Sequence, residues 1–283
     1  MTGIALVFVP FDLDQYGKGA GATPEALRAA GLAAHLAGRG LRVAREVTLG
    51  DDLGAGDRYT RLGRLQAHVA DHVAEAVRAG LLPMIVGGDC CNAIGAWSGL
   101  TRARPAASPG VLWFDAHGDW NTEETTRTGY LGGMPYAAIC GYGNAGLRTA
   151  AGLTRPAPTT HCALLGARDL DPLEAELLAG TGVMQLSPAE IRASDPRIAK
   201  ALPAADSLYV HFDVDVLDLA QMPGVRYCVP GGLTSAEVVQ LTRAMRAGRP
   251  IAALTLAALE PGRDPAGVSI ETAMHTLLDL LAP

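Results

Sequence analysis

Apolar runs short enough to be strands alternate with helical patterns along almost the entire chain. Strands that are apolar on both faces and alternate with helices are typical of a parallel sheet that helices cover on both sides. The pattern therefore predicts an α/β fold, a three-layer α-β-α arrangement around a central, mostly parallel sheet. The strands are predicted at about 110–115, 161–166, 182–186, 206–214 and 251–259, and the helices at about 171–180, 188–201, 234–247 and 268–282.

The first hundred residues contain the same alternation. "IALVFV" predicts a first strand, "LRVAREV" a second and "LLPMIVGG" a third. Between the first two, "TPEALRAAGLAAHLAGRG" predicts one helix, with Thr23 as its N-cap and Pro24 at the first helical position. A further helix is predicted to end at Gly80, and its apolar face consists of Leu62, Leu65, Val69, Val73 and Val77.

The length and the apolar content allow one large core. The chain has 283 residues, of which 49% are hydrophobic. It contains no stretch rich in Pro, Gly and Ser that is long enough to separate two domains, and no repeat at a fixed period. Residues 1–283 are therefore predicted to form a single domain.

Charge, the amino-terminal sequence and the cysteines limit the classes of partner. The formal net charge is -6, whereas nucleic-acid binding needs clustered Lys and Arg. In "MTGIALVFVPFDLD", Pro10 and Asp12 interrupt the apolar run too early for a signal peptide or a membrane span. We therefore expect no nucleic-acid partner, no membrane partner and a cytoplasmic location. An odd number of cysteines without a C-x-x-C pair also argues against a disulfide framework: Cys90, Cys91, Cys140, Cys162 and Cys228.

Acidic residues follow three of the predicted strands at the point where each strand ends. In sheets of this kind, ligands bind beyond the carboxyl ends of the strands, so these positions are candidate site residues. "MIVGGDCC" ends in Asp89 and Cys90, "LWFDAHGD" in Asp115, His117 and Asp119, and "YVHFDVDVLD" in Asp213, Asp215 and Asp218.

So many carboxylates at one sheet edge require a cation between them. Two unit charges in close contact repel by about 4 kcal/mol at an effective dielectric constant near 20, and neither Lys nor Arg occurs within these segments. Oxygen-rich ligation with one imidazole suits Mn²⁺, and the number of carboxylates suits two ions that share Asp oxygens. The alternative is that the aspartates cap strand ends and that His117 is a hydrogen-bonded core histidine.

The same segments resemble the metal-binding signatures of the ureohydrolases, the arginase and agmatinase family. "GGDC", "FDAHGD" and "HFDVDVLD" follow one another in the family's order, and "GATPEALRAAGL", "VPGGLTSAE" and "AALEPGRDP" extend the resemblance over almost the whole chain. The resemblance implies a cluster of two Mn²⁺ ions bound by Asp115, His117, Asp119, Asp213 and Asp215. It also implies trimers or hexamers, since family members commonly form them.

The resemblance further implies hydrolysis of a guanidino group. A guanidinium is a poor electrophile, so its hydrolysis needs a stronger nucleophile than water at neutral pH, and two metal ions lower the pKa of bound water enough to supply one. In the family, the residue at Asp119 orients this nucleophile and moves its proton. The residue at Glu260 pairs with the guanidinium through charge-assisted hydrogen bonds.

Two further segments concern the rest of the substrate. "NTEETTRTGY" resembles the arginase loop that binds an α-carboxylate, through Asn121, Thr126 and Thr128, but a polar surface loop would look the same. "GARDLDPLEAE" resembles the segment that receives the α-amino group, here Asp171 and Glu174, although an N-cap followed by proline is also an ordinary helix start. Together the two segments favour an α-amino acid.

Two positions depart from the family pattern. Cys90 stands where the family usually has histidine; a thiolate is a softer ligand that weakens the preference for Mn²⁺, and packing without ligation is the alternative. Gly132 stands where arginases have a histidine that shuttles protons, so L-arginine should be turned over poorly. This combination resembles the Nω-hydroxy-L-arginine amidinohydrolase branch of the family, known from D-cycloserine biosynthesis.

The expected function is therefore a manganese-dependent amidinohydrolase. Its substrate would be L-arginine or Nω-hydroxy-L-arginine, and its products L-ornithine with urea or hydroxyurea. Agmatinase, guanidinobutyrase and formimidoylglutamase activities are alternatives within the family, and a catalytically degenerate binding or regulatory protein is another. A dinucleotide site is a third possibility, because "GKGAGA" at residues 17–22 matches G-x-G-x-x-A between a strand and a helix.

Overall fold

The computed structural model describes residues 3–282, which form three layers. The strands are β1 (Ile4–Val9), β2 (Phe11–Asp12), β3 (Gln15–Tyr16), β4 (Val43–Thr48), β5 (Leu82–Gly87), β6 (Pro109–Phe114), β7 (Cys162–Leu165), β8 (Met184–Leu186), β9 (Ser207–Asp213) and β10 (Ile251–Ala257). The helices are α1 (Thr23–Ala29), α2 (Leu32–Gly38), α3 (Arg58–Arg78), α4 (Asn92–Ala103), α5 (Pro135–Ile139), α6 (Ala145–Ala150), α7 (Pro172–Ala179), α8 (Pro188–Arg192), α9 (Ser235–Arg246) and α10 (Val268–Leu281).

Eight of the described strands form one sheet in the order β4-β1-β5-β10-β9-β6-β7-β8. Every pairing within it is parallel, and β2 and β3 form a separate antiparallel hairpin. The predicted fold class is therefore confirmed. Among residues 3–282, none of the helices combines the length and apolarity that a membrane crossing needs.

The sheet carries a hydrophobic cluster on each face, and β1 shows how the sequence produces this. Ile4, Leu6 and Phe8 belong to the cluster that also contains apolar residues of α1, α2, α9 and α10. Val7 and Val9 belong to the other, which contains those of α3 and α4. Because consecutive residues of a strand face opposite sides, a strand covered on both faces must be apolar throughout.

Two helix predictions were wrong in their limits. The segment from Thr23 forms two helices, because Gly31 has a left-handed φ of 83° and interrupts the hydrogen-bond pattern. Ala22 is the N-cap of α1, and the Thr23 hydroxyl instead donates to the carbonyl of Leu259. The helix predicted at about 188–201 ends at Arg192, since Ser194 has a φ of 54°.

Three helices, α4, α5 and α6, were not predicted. In α4, ten consecutive residues from Asn92 to Thr101 are buried, so the segment has no polar face to mark a helical period. It packs extensively against α3, where glycine allows a close approach: a Cβ at Gly95 would lie 2.6 Å from the carbonyl oxygen of Gln66. The two helices together support the sheet beneath β5 and β10.

The four central strands, β5, β10, β9 and β6, are neighbours and end at one edge of the sheet. β5 is followed by Asp89 and Cys90, β6 by Asp115 and β10 by Glu260, while β9 ends in Asp213. Parallel pairing thus brings residues that are far apart in the sequence to one place.

Candidate active site

The acidic motifs lie in turns just beyond the strands. His117 and Asp215 each lie two residues after a first aspartate, beyond the strands, because β6 ends at Phe114 and β9 at Asp213. Asp215 belongs instead to a 3₁₀ turn, Val214–Val216, that begins where the Asp213 side chain accepts a hydrogen bond from the Asp215 backbone N–H at 2.8 Å. Turn geometry, and not the period of a strand, therefore sets the direction of these side chains.

His117 lies between two carboxylates. Its Nδ1 is 3.3 Å from Asp115 Oδ1 and 3.0 Å from Asp215 Oδ2. The carboxylates themselves are fixed from behind, because the backbone N–H of Ala116 donates to Asp215 Oδ1 at 2.9 Å and the indole N–H of Trp113 donates to Asp115 Oδ2 at 3.0 Å. The three side chains converge closely enough for their ligand atoms to share one metal ion.

A second group of ligating side chains adjoins the first. The thiol of Cys90 donates to Asp213 Oδ2 at 2.9 Å, and the ligand atoms of Cys90, Asp115 and His211 lie within 4.8 Å of one another. His211 was not among the predicted site residues. The sequence feature that could have indicated it is its position in "HFDVD", two residues before Asp213 on β9.

Asp119 has a strained backbone and an unsatisfied side chain. Its φ is 47°, a conformation that non-glycine residues seldom adopt. Its carbonyl accepts hydrogen bonds from the backbone N–H groups of Tyr136 at 3.0 Å and Ala137 at 3.1 Å, which holds the turn against α5. Its Oδ2 is buried and has no hydrogen-bond partner within residues 3–282.

Burial and mutual repulsion dominate the electrostatics of this cluster. Burial raises the pKa of Asp115, Asp119 and Asp213, and neighbouring carboxylates raise each of these values further. Burial alone would lower the pKa of His117, but hydrogen bonds to Asp115 and Asp215 raise it to about 12. The carboxylates therefore attract a cation strongly, and a divalent ion satisfies them better than a single imidazolium proton.

Arg168 is a cation near the cluster that was not among the predicted site residues. It contacts backbone carbonyls and does not neutralise the carboxylates directly. The guanidinium of Arg168 donates to the backbone carbonyls of Asp215 at 3.0 Å, Val229 at 2.8 Å and Gly166 at 3.0 Å. It thus holds the loops behind the site in place. The unpartnered Asp119 oxygen and the convergent carboxylates and imidazoles are donors of the kind that divalent metal ions take, so the residues present fit a metal site.

Glu260 lines the same cavity. Its Oε2 accepts from Arg226 Nε at 3.2 Å and from Arg263 Nε at 2.7 Å, and Arg226 also donates to Asp12. Arg226 and Asp12 were not among the predicted site residues. Arg226 pairs with Glu260 on one side and with Asp12 of the amino-terminal loop on the other.

The segment "GKGAGA" contributes to this arrangement. It forms a 3₁₀ turn, Gly19–Ala22, ahead of α1, and a Cβ at Gly19 would lie 2.4 Å from Asp12 Oδ2 and 2.6 Å from Arg226 Nη2. The close approach of the turn to this ion pair explains the need for glycine. The glycines do not open the helix that follows the first strand, which a dinucleotide-binding fingerprint requires.

The residues predicted to bind the α-carboxylate lie together on the loop that follows Asp119. Asn121 is buried, and its side-chain carbonyl accepts from the Thr125 hydroxyl at 3.0 Å. The Thr126 hydroxyl accepts from the backbone N–H of Gly129 at 3.0 Å, and that of Thr128 from Tyr130 at 3.2 Å. These hydrogen bonds give the loop a defined shape, and all three predicted side chains line the cavity.

Asp171 and Glu174 are placed at the start of α7. Asp171 is the N-cap and Pro172 the first helical residue, so the helix-start interpretation is correct. Glu174 is buried, and its two oxygens accept from the backbone N–H groups of Trp120 at 2.8 Å and Asp171 at 3.0 Å. Both acidic residues also line the cavity, so the two interpretations of this segment are compatible.

One cavity of about 490 Å³ joins these groups. Of the residues predicted to bind metal or substrate or to act in catalysis, all but the fully buried Asp115 line it, and Asp218, a candidate from the D-x-D segment, lies outside it. The remaining predicted residues on its walls are Cys90, His117, Asp119, Asn121, Thr126, Thr128, Asp171, Glu174, Asp213, Asp215 and Glu260. Its size suits a ligand with the bulk of an amino acid.

Aromatic rings narrow the cavity near Gly132. A Cβ on Gly132 would lie 2.4–2.6 Å from the end of the Tyr130 ring, so Tyr130 occupies the space that a larger side chain at 132 would need. The Tyr130 ring contacts Tyr227 edge to face at 5.8 Å, and Tyr227 contacts His117 at 6.0 Å. Gly132 was recognised in the sequence as a departure from the family pattern, but Tyr130, which occupies the space beside it, was not.

Comparisons with known proteins agree with this geometry. The arginase family model matches residues 2–282. The arginase of Bacillus caldovelox is 33% identical over 256 residues, covering 84% of each chain, and the N(omega)-hydroxy-L-arginine amidinohydrolase of Streptomyces lavendulae is 34% identical over 215 residues, covering 76% of this chain and 73% of the relative. The crystal structure of arginase from Bacillus cereus superposes with a TM-score of 0.89 at 26% identity, covering 99% of each chain.

The match extends over the whole sheet and includes the loops that carry the acidic motifs. A shared fold alone would leave function open, but here the relatives exceed 30% identity over most of both chains, and the family's signature positions meet in one cavity. This chain belongs to the arginase family.

Proposed function

We propose that the protein is a dinuclear manganese amidinohydrolase that cleaves the guanidino group of L-arginine or Nω-hydroxy-L-arginine, giving L-ornithine with urea or hydroxyurea. The observation that carries the proposal is that His117, Asp119, Asp213 and Asp215 line the cavity that Glu260 also lines, while the buried Asp115 lies 3.3 Å from His117. The arginase-family assignment supports hydrolysis of a carbon–nitrogen bond in a linear amidine.

In this proposal the residues that line the cavity have different tasks. The aspartates, His117 and Cys90 would hold the metal ions, which would supply a bound water of lowered pKa as the nucleophile. Asp119 has a buried carboxylate oxygen without a partner in the described chain, so it can accept and return the proton that this water loses. The N–H groups of the substrate's guanidino group donate hydrogen bonds to the Glu260 carboxylate.

The remaining walls of the cavity favour an amino acid over a simple amine. Asp171 has a partly exposed carboxylate at the cavity wall, and its Oδ1 lies 3.6 Å from Arg127 Nη1. The exposed part of this carboxylate suits an α-ammonium group. Asn121, Thr126 and Thr128 offer an amide and hydroxyl groups for an α-carboxylate. Agmatine lacks both of these charged groups and 4-guanidinobutyrate lacks the α-ammonium group, so these residues argue against both as substrates.

Arg226 favours the N-hydroxylated substrate. Its Nε and Nη2 are engaged by Glu260 and Asp12, while Nη1 has no hydrogen-bond partner among the described residues. At this point a guanidinium would present only N–H donors and a positive charge. Arg226 carries the same groups, so the two would repel each other. The oxygen of an N-hydroxyguanidine is an acceptor on a less basic group, so it can receive the free N–H of Arg226.

The function is tested by incubating the manganese-loaded protein with each substrate and measuring ornithine. We expect release from both, with Nω-hydroxy-L-arginine the better substrate. No imidazole is available at position 132 to protonate the leaving δ-amine of ornithine, whereas the less basic N-hydroxyguanidine carries a mobile proton of its own. Agmatine and 4-guanidinobutyrate serve as controls and should yield little product. Absence of ornithine from both amino acids, in protein that holds its metal, would favour a binding or regulatory role.

The role of Arg226 is tested by Arg226→Met. In this proposal Arg226 donates a hydrogen bond to Nω-hydroxy-L-arginine and repels L-arginine. Its loss should therefore lower the ratio of kcat/KM for Nω-hydroxy-L-arginine over L-arginine by roughly tenfold or more. Arg263→Met is the matched control, because Arg263 pairs with the same Glu260 oxygen but lies outside the cavity wall. It should change both substrates by a similar factor, and an equal ratio in the two variants would contradict the assignment.

A further inference from the structure

His211 is a buried histidine with an unused nitrogen at the centre of the sheet. It lies on β9, two residues before Asp213, and its side chain is fully buried. Its Nε2 has no hydrogen-bond partner within residues 3–282. A buried imidazole nitrogen without a partner costs free energy, so its presence calls for an explanation.

The surroundings of His211 fix the ring in one orientation. It stacks on the indole of Trp113 with ring centres 3.7 Å apart, and its Nδ1 is 3.5 Å from the Tyr209 hydroxyl, which in turn donates to Thr255 at 2.9 Å. The Nδ1 side of the ring therefore has a polar neighbour. Histidines that bind metal ions are commonly held in this way through the nitrogen that does not ligate.

His211 lies among ligating groups. The ligand atoms of His211, Cys90 and Asp115 all lie within 4.8 Å of one another, and Cys90 Sγ is 2.9 Å from Asp213 Oδ2. A metal ion bound at about 2.0–2.3 Å from nitrogen and sulfur ligands fits among atoms at such separations. Among the described residues, no Lys or Arg side chain pairs with any of the four, and His117 is the one cationic neighbour, at 3.3 Å from Asp115.

We infer that His211 is a metal ligand and that, with Cys90, Asp115 and Asp213, it forms the second half of the metal cluster beside the group of Asp115, His117 and Asp215. Asp115 belongs to both halves and joins them. The first half is then built from carboxylates and one imidazole, whereas the second adds sulfur and a second imidazole. This inference rests on the proposed metal site but not on the identity of the substrate.

The donor set has a consequence for the choice of ion. Sulfur and nitrogen ligands bind Co²⁺ more tightly than Mn²⁺, so the second half should take up Co²⁺ readily. Cobalt is a useful probe for this reason, and because its absorption spectrum changes with the number and kind of its ligands.

The test compares cobalt binding in the wild type with that in two variants of His211. His211→Gln removes the imidazole and keeps polarity, while His211→Phe keeps a flat ring against Trp113 and removes both nitrogens. Each protein is loaded with Co²⁺ and freed of excess ion, after which bound cobalt and the absorption spectrum are measured. We expect both variants to lose about half of the cobalt, or to bind that half at least roughly tenfold more weakly, with changed absorption bands.

His72→Gln is the matched control. Its Nδ1 is likewise buried without a partner among the described residues, but it lies on α3, away from the cavity. It should retain the cobalt and the spectrum of the wild type. Equal cobalt content and equal spectra in the wild type and both His211 variants would overturn the inference.

A measurement on the wild type covers the case in which both variants fold poorly. In the cobalt-loaded protein, a ligating His211 keeps its Nδ1–H beside the Tyr209 hydroxyl, so proton NMR should show a strongly shifted imidazole N–H that exchanges slowly with solvent. Absence of this resonance in a protein with two cobalt ions would assign the second half to Cys90 and carboxylates alone. Wild type that binds no divalent ion would instead remove the metal site and the proposed function together.

Discussion

Asp115→Asn is expected to remove both metal ions and with them nearly all turnover. Asp115 lies in both groups of ligating side chains, and its Oδ1 is the oxygen that His117 approaches at 3.3 Å. The neutral amide has one oxygen in place of two and no charge, so each half of the cluster loses a ligand. We expect metal content well below one ion per chain and a decrease in kcat/KM of about a thousandfold or more, in the range typical of lost metal-ion catalysis.

The variant should still fold, because asparagine can keep a hydrogen bond that Asp115 makes to the chain around it. Its Oδ1 accepts from the backbone N–H of His117 at 2.7 Å and its Oδ2 from the Trp113 indole at 3.0 Å, and the amide oxygen of asparagine can keep one of these hydrogen bonds. Asp218→Asn is the control: Asp218 follows the same D-x-D motif, but its side chain lies outside the cavity and accepts from the backbone of Ala220 at 3.0 Å. If Asp115→Asn kept two ions and wild-type turnover, the shared-ligand role of Asp115 would be wrong.

The sequence was sufficient to predict the fold because the sheet follows from local patterns. Strands that are apolar throughout, separated by helices, leave few arrangements other than a parallel sheet covered on both sides. The ends of the helices were less predictable. Gly31 and Ser194 interrupt helical patterns through left-handed backbone conformations, and α4 has no polar face by which a period could be seen.

The site was predictable where its residues share a strand end, and was missed where distant segments meet. Asp115, Asp213 and Glu260 follow strands that turned out to be neighbours, so their convergence followed from the topology. Arg226 and Asp12 are 214 positions apart, and no local pattern relates them.

Tyr130 and His211 show a second kind of limit. His211 is placed by the same strand as Asp213, but an isolated histidine in an apolar strand is more often a core residue. Tyr130 gains its meaning only from the space beside Gly132. In both cases the role of the side chain depends on what lies next to it in space. His211 Nε2 has no partner among the described residues, and Gly132 has no side chain beside Tyr130. A sequence pattern shows neither.

Gly132→His tests whether Tyr130 has replaced a side chain at that position. The new Cβ alone would lie 2.4 Å from the Tyr130 ring, so Tyr130 must leave its place beside Tyr227. Overpacking of this kind costs about 1–3 kcal/mol. We therefore expect a lower free energy of unfolding, measured by denaturant titration, and little gain in L-arginine hydrolysis, because the displaced ring and the new imidazole compete for one part of the cavity.

The double variant Gly132→His/Tyr130→Ala should behave differently from the sum of its parts. Removing the ring opens the space that the imidazole needs, so much of the lost stability should return, as expected for residues in direct contact. A histidine there can also protonate a leaving amine, a contribution of about a hundredfold or more in favourable cases. L-Arginine hydrolysis should therefore rise relative to that of Nω-hydroxy-L-arginine.

Gly133→His is the matched control for stability. Gly133 lies in the same turn, but a Cβ there would meet nothing within 4 Å, so this substitution should cost far less than Gly132→His. Equal costs at the two positions, or additive effects in the double variant, would show that Tyr130 does not occupy the place of a side chain at 132. The preference for one guanidino substrate would then depend on Arg226 and the metal ligands, and not on the aromatic residues at the cavity mouth.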